Sequence, residues 1–392
     1  MERILTTHVG SLPRPASLLA LMRAKNDDES YDASSLATEL RGAVESAVAR
    51  QVEVGLDIVS DGEMSKPSYA TYVTERLTGF EGSFKGHAAQ DLRDYLEFAK
   101  HLIEIDAVVP HAGGACCRGP VTVRDTEALQ TDLDNFGSAV ECATPAGAFM
   151  NAASPGVVAV FQKNEYYATD DEYIDAIAEA LRPEYETIVA AGFLLQIDSP
   201  DLAMGRHLAF AELDDAAFLR IVERNVVALN QAVRNIPADR MRMHLCWGNY
   251  PGPHHRDIPL RKIVAAVLRA KPKYLLLEGA NPRHEHEWQV FSEVRLPDDK
   301  VLVPGVIDST SNYIEHPEVV AQRICRYADV VGRERVMAGS DCGFSTFSGY
   351  PTVYPEIAWA KLGSLAEGAR LASKLLWQVR RAPAAGPGSR AG

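Results

Sequence analysis

His244 and Cys246 stand two residues apart in Met241-Arg-Met-His244-Leu-Cys246. Side chains two apart on a strand share a face, so an imidazole and a thiol point the same way there. Cys342 follows a second strand-like run, and Glu278 ends a third that lies between them in the chain. Two sulfurs, one imidazole and one carboxylate make a set that zinc accepts in tetrahedral geometry. A His-x-Cys pair by itself more often means a buried cysteine beside a core histidine. Four possible ligands at three strand ends reverse that weighting. Their dispersion from His244 to Cys342 also argues against a structural knuckle, which gathers close-set ligand pairs, and for a catalytic site.

The chemistry of such a set is specific. Two thiolates and a carboxylate around zinc leave the site net negative, which weakens the metal as a Lewis acid toward water. A further, metal-bound substrate sulfur stays electron-rich and deprotonated near neutral pH. The set therefore favours thiol alkylation over hydrolysis. Glu63 and Asp198 also fall at the ends of strand-like runs, where a functional role outweighs that of a solvated or capping carboxylate.

These residues need a scaffold that brings distant strand ends together. Strand-like runs are predicted at Ile4–Val9, Leu56–Ser60, Phe193–Asp198, Met241–Cys246, Tyr274–Glu278, Val301–Ile307 and Val336–Ser340. Helical patterns are predicted at Ser35–Val54, Asp171–Ala190, Ala216–Asn235, Leu260–Ala270, Pro317–Val331 and Tyr354–Gln378. Strands alternating with helices indicate a parallel sheet of α/β class. A single TIM-type (β/α)8 barrel over residues 1–381 puts every strand end on one rim. An open, doubly wound sheet joins fewer ends, and no glycine-rich dinucleotide loop follows the first strand. The less regular region 80–150 reads as loop insertions over the C-terminal rim. The Ala/Pro/Gly-rich segment 382–392 reads as a disordered tail.

Composition narrows the function further. The chain has 392 residues, 46% apolar and 24% charged, enough to bury a full core without disulfides. A formal charge of −13 disfavours nucleic acid as a partner. No apolar run is long enough for a membrane span, and the amino terminus lacks a signal-peptide pattern. A cytoplasmic location is expected, with the six cysteines buried, reactive or metal-bound.

In order along the chain, the motifs resemble the cobalamin-independent methionine synthase family, specifically its catalytic barrel. Thr6-Thr-His-Val-Gly-Ser11-Leu-Pro13 is similar to the family's opening strand and substrate loop, Asp61-Gly-Glu63 to its His-Gly-Glu segment, and Gln196-Ile-Asp198-Ser-Pro200 to its Gln-Ile-Asp-Glu-Pro strand. His244-Leu-Cys246, Glu278 and Asp341-Cys342-Gly343 fall where the family keeps zinc.

The resemblance implies zinc held by His244, Cys246, Glu278 and Cys342. It implies homocysteine gripped by Glu63 and Asp198 at its amino group and by Gly10 and Ser11 at its carboxylate, with a methyl or other alkyl donor as second substrate. Two departures bear on the donor. Phe161 stands where the family stacks folate on tryptophan, and Thr310 stands at the histidine that protonates the leaving group. A threonine hydroxyl is a poor acid at neutral pH. The segment Trp247-Gly-Asn-Tyr-Pro-Gly-Pro-His254-His255 has no counterpart in the methionine synthases. Relatives of this length include the epoxyalkane:coenzyme M transferases, where a thiol opens an epoxide. His254, His255, His284 and His286 would there be acids or anion contacts.

Overall fold

Met241–Leu245 and Val301–Ile307 are buried along their whole length, as strands of a parallel sheet covered on both faces must be. The computed structural model describes residues 2–27, 29–105, 114–350 and 352–378. Its centre is a curled parallel sheet of seven strands: β1 (Ile58–Ser60), β2 (Gly147–Ala153), β3 (Leu194–Asp198), β4 (Met241–Leu245), β5 (Tyr274–Leu277), β6 (Val301–Ile307) and β7 (Gly339–Ser340). Spatial order follows chain order, and each neighbouring pair is parallel. All carboxy-terminal strand ends therefore face one side.

The first extended run pairs more sparsely than Ile4–Val9 predicts, with a single bridge from Thr6 to Ala338. It nevertheless reaches both ends of the sheet. Thr6 O accepts from Ile58 N–H at 3.0 Å, and Thr7 N–H donates to Ala338 O at 2.9 Å.

Helices cover the outside, and side chains that satisfy their first amides start several of them. Thr169 accepts from Glu172 N–H at the head of Asp170–Ala190, and Asp214 accepts from Ala217 N–H at the head of Asp215–Ala232. The helix Pro317–Val331 has the predicted bounds, and Ala33–Glu53, Leu260–Val267 and Pro355–Gln378 differ from prediction only near their ends. Among the described residues no helix is long and apolar enough to cross a membrane.

The region 80–150 is more regular than expected. It holds the helix Glu127–Ala143 and the whole of strand β2 except its last three residues, so it completes the sheet as well as covering the rim. Gly147-Ala-Phe-Met-Asn-Ala-Ala lacks the β-branched residues that mark strands, and hydrogen bonding to β1 and β3 holds it extended. The rim is covered by short helices at Gln90–Arg93 and Leu96–Glu104. Residues 106–113 of this region and the expected tail at 382–392 lie outside the described residues.

Candidate metal centre and substrate cavity

Strand β4 carries Arg242, His244 and, one residue beyond its end, Cys246 at alternate positions. Arg242 turns inward and ties the strand to the first segment, donating to Thr7 Oγ1 at 2.9 Å and to His8 O at 2.7 Å. His244 and Cys246 follow toward the rim, where Cys342 arrives just past β7. Ligand atoms of His244, Cys246 and Cys342 all lie within 4.8 Å of one another, and all three residues are buried.

This group fits a tetrahedral metal. The two sulfurs are 3.8 Å apart. Two zinc–sulfur bonds of about 2.3 Å at a tetrahedral angle place sulfurs about 3.8 Å apart, whereas a disulfide needs about 2.05 Å. Both ring nitrogens of His244 are buried with no hydrogen-bond partner among the described residues. Burial, and then the charge of Arg242, pull this imidazole down to about 3, so it is neutral and has a lone pair to give. Cys246 Sγ also accepts from Gly248 N–H at 3.2 Å, a contact that suits a thiolate.

Glu278 is beside this group but outside it. Its Oε1 accepts from Trp247 N–H at 2.8 Å and its Oε2 accepts from Asn281 Nδ2 at 2.7 Å. Asp341 holds the same loop, accepting from the backbone N–H groups of Gly279, Ala280 and Asn281, each at 2.8 Å. The carboxylate of Glu278 is thus carried on a fixed turn next to Cys246, whose thiol is raised by hydrogen bonding to Cys342, by burial and by nearby negative charge.

A cavity of about 270 Å³ opens from the thiols and includes Ser11, Glu63, Phe161, Asp198 and His244 in its wall. Asp198 is held from behind, accepting from Gln196 Nε2 at 3.0 Å and Asn151 Nδ2 at 2.9 Å. Glu63 sits in a left-handed backbone conformation, φ 55°, and its Oε2 is buried without a partner among the described residues. Strain at a non-glycine residue marks a held position. Burial, then the negative charge of Asp198, raise the Glu63 carboxyl above its usual range, and burial raises Asp198 as well. A bound ammonium would relieve both. Gly10 lies against them, and a side chain there would collide with Glu63 Oε1 and the Asn151 amide.

Phe161 ends the helix Pro155–Phe161 and meets Tyr69 edge-on at 5.6 Å between ring centroids. Tyr69 meets Phe347 in the same way at 5.7 Å. Sequence reasoning missed Tyr69, Asn151 and Gln196. Only Gln196, two residues before Asp198, carried a signal in its shared strand face. Thr310 turns back on Asp308, donating from Oγ1 to Oδ1 at 2.8 Å. Of the four loop histidines, His254 and His284 flank the buried Asp257 at 2.9 and 3.0 Å. His255 pairs with Asp94 on the exposed rim, and His286 is exposed.

Fold and site together define an α/β protein in which a buried His-Cys-Cys group shares one rim cavity with a carboxylate pair. The family model described as the cobalamin-independent synthase catalytic domain matches residues 4–93 and 108–358, and the chain belongs to that family. A methionine synthase of Saccharolobus solfataricus is 26% identical over 372 residues, covering 93% of this chain and 94% of the relative. One from Thermococcus kodakarensis is 23% identical over 374 residues, covering 95% and 94%. The structure of a B12-independent methionine synthase from Shewanella sp. W3-18-1, in complex with selenomethionine, superposes with a TM-score of 0.74 at 18% identity, covering 96% of this chain and 99% of that one.

Proposed function

We propose that the protein transfers a methyl or other alkyl group to a thiol, with homocysteine as the thiol and methionine as the product. The observation that carries this reading is the shared cavity. Among the described residues, a thiol-rich group with an unpartnered imidazole shares its cavity with the buried Glu63 carboxylate, whose Oε2 has no hydrogen-bond partner. The relatives named methionine synthase support the same activity.

His244, Cys246 and Cys342 would hold zinc, with Glu278 as the fourth ligand from its fixed turn. When bound, zinc supplies a site that keeps the substrate sulfur as a thiolate. The chain's own residues do the rest. Glu63 and Asp198 bind the substrate ammonium, and the backbone at Gly10 with the Ser11 hydroxyl receives its carboxylate. Phe161 and Tyr69, in the wall of the same cavity, contribute apolar surface that limits water there and so strengthens charge interactions inside. The extended Leu5–Thr7 segment, bonded to both ends of the sheet, would make the eighth stave of a complete (β/α)8 barrel within a single domain reaching to residue 381.

The test is product analysis. Zinc-loaded protein is incubated with homocysteine and a methyl donor, and methionine is measured by mass spectrometry. Homocysteine should be consumed by the native protein and not by Cys342→Ser. Equal turnover by both proteins overturns the reading.

A further inference from the structure

Glu63 and Cys342 lie just past the two edges of the sheet. Strand β1 ends at Ser60 and β7 at Ser340, and these two strands are first and last in spatial order. The sheet ladder therefore does not set the separation of the Glu63 carboxylate from the Cys342 thiol. The first segment of the chain spans the gap. Val9 N–H donates to Ser340 Oγ at 3.2 Å, and Ser60 Oγ donates to Gly10 O at 3.2 Å. Leu12 N–H donates to Gly62 O at 3.1 Å, and Phe344 N–H donates to Ser11 O at 2.8 Å.

Arg14 closes this span with a side chain. Its Nη2 donates to Glu63 O at 2.6 Å and Lys66 O at 2.8 Å, and its Nη1 donates to Ser345 O at 2.9 Å and Ser345 Oγ at 2.8 Å. Among the described residues it is the single side chain hydrogen-bonded to both the Glu63 turn and the loop after Cys342. These four partners are neutral oxygens, and Arg14 is buried, so the guanidinium is held there at a cost in hydration. Its planar fork fixes the directions of all four bonds, which a flexible ammonium cannot do. The bond to Glu63 O also falls on the residue whose backbone is left-handed, φ 55°. Burial and then Asp198 raise the Glu63 carboxyl, and the charges of Lys66 and Arg14 act in the opposite sense.

We propose that Arg14 is a positioning residue that fixes the span between Glu63 and the metal-binding thiols, and so selects the amino thiol by its chain length. The inference rests on the alkyl-transfer reading for placing the substrate ammonium at Glu63 and the substrate sulfur at the metal. Arg14 is not in the cavity wall, so it acts through the Glu63 turn and the Cys342 loop and touches no substrate. A thiol held at both ends has to match the span between them. Cysteine is one methylene shorter than homocysteine, so with its sulfur on the metal its ammonium falls short of Glu63. It then forfeits a charge-assisted hydrogen bond, a loss of roughly tenfold or more in affinity.

Thiol binding to the cobalt-substituted, full-length protein tests this, because a metal-bound thiolate adds sulfur-to-cobalt charge-transfer absorption. Native protein should bind homocysteine at least roughly tenfold tighter than cysteine. Arg14→Lys keeps a cation and loses the fork. It should weaken homocysteine roughly tenfold at unchanged cobalt content. Cysteine, and 4-mercaptobutanoate, which is homocysteine without the amino group, should bind the variant as they bind the native protein. Ser345→Ala removes one of the four contacts and should move the ratio of homocysteine to cysteine affinity the same way, by a smaller factor. Should Arg14→Lys fail to fold or to hold cobalt, the ratio in Ser345→Ala decides. Equal weakening of all three thiols would make Arg14 a structural residue only and overturns the inference. A native protein indifferent between homocysteine and cysteine overturns it too. Thiol absorption with the native ratio in both variants sinks this inference alone. No thiol absorption in the native cobalt protein sinks the alkyl-transfer reading, and this inference with it.

Discussion

Cys246 Sγ and Cys342 Sγ stand 3.8 Å apart although 96 positions separate them in the chain. Strands β5 and β6 lie between the strands that carry them, so this proximity comes from the curl of the sheet. The separation is too long for a disulfide and matches two thiolates on one tetrahedral ion. With the His244 nitrogens beside them, which have no hydrogen-bond partner among the described residues, the pair forms a group that could hold a metal ion, assembled by the fold.

That geometry predicts about one zinc per chain. Metal analysis of purified protein should find it, and Cys246→Ser and Cys342→Ser should each lower zinc affinity by at least tenfold. Full occupancy in the double variant would exclude these sulfurs as ligands. Glu278→Gln, which keeps the acceptor for Trp247 N–H, separates a ligand role from a structural one. A ligand role lowers zinc affinity without lowering the melting temperature.

The proposed ammonium site makes Glu63, whose Oε2 has no hydrogen-bond partner among the described residues, the determinant of thiol selectivity to be tested. A charge-assisted hydrogen bond contributes roughly 1.5–3 kcal/mol, so Glu63→Gln should weaken homocysteine binding roughly tenfold to a hundredfold with zinc content unchanged. A sulfonate thiol such as coenzyme M has no ammonium, and two carboxylates repel it, so native protein should prefer homocysteine. Because burial raises the Glu63 carboxyl, homocysteine affinity should climb with pH past the ordinary carboxylate range, as the group ionises while the ammonium keeps its proton. Equal affinity for both thiols would remove Glu63 from the ammonium site.

Much of this was legible in the sequence, for identifiable reasons. Strand ends with reactive residues stood out because Met241–Cys246 and Tyr274–Glu278 are apolar runs that stop at polar side chains. Pro317–Val331 was bounded by a proline at its start and a glycine after its end, and its bounds hold. Strand β2 was missed because alanine, glycine and asparagine have low strand propensity, and only its neighbours make it a strand. Asn151 was missed with it. Tyr69 joins the cavity wall from an irregular loop, which no periodicity encodes. The pairing of His254 and His284 with a carboxylate was not legible because Asp257, which lies between them, carries no motif.

Gly10 tests how closely the carboxylate pair is set. A Cβ at this position collides with Glu63 Oε1 and the Asn151 amide. Overpacking of this kind costs about 1–3 kcal/mol. Gly10→Ala should therefore raise the KM for homocysteine roughly tenfold by displacing Glu63, at unchanged zinc content. Unchanged KM would show that the loop yields freely and that the position of Glu63 does not control binding.

The rim carries its own dependence on pH through His254. Its Nδ1 lies 2.9 Å from Asp257 Oδ2 and its Nε2 lies 3.0 Å from Tyr250 O, so a doubly protonated ring donates to both. Burial alone would lower this imidazole, but the hydrogen bond to Asp257 and that carboxylate's charge outweigh it and push His254 up to about 9. A group with a raised folded value stabilises fully below its unfolded value of about 6.5 and loses that contribution as pH rises through its folded value. Urea unfolding should therefore show stability falling between about pH 6.5 and 9, by an amount on the order of 2–3 kcal/mol. His254→Gln should be less stable at pH 6 and should flatten that slope. Asp257→Asn should flatten it too, since the charge that holds the proton is gone. His284 pairs with the same carboxylate and is pushed up to about 10, so a native stability profile that is level across this interval would show that neither His254 nor His284 is held protonated in the folded chain.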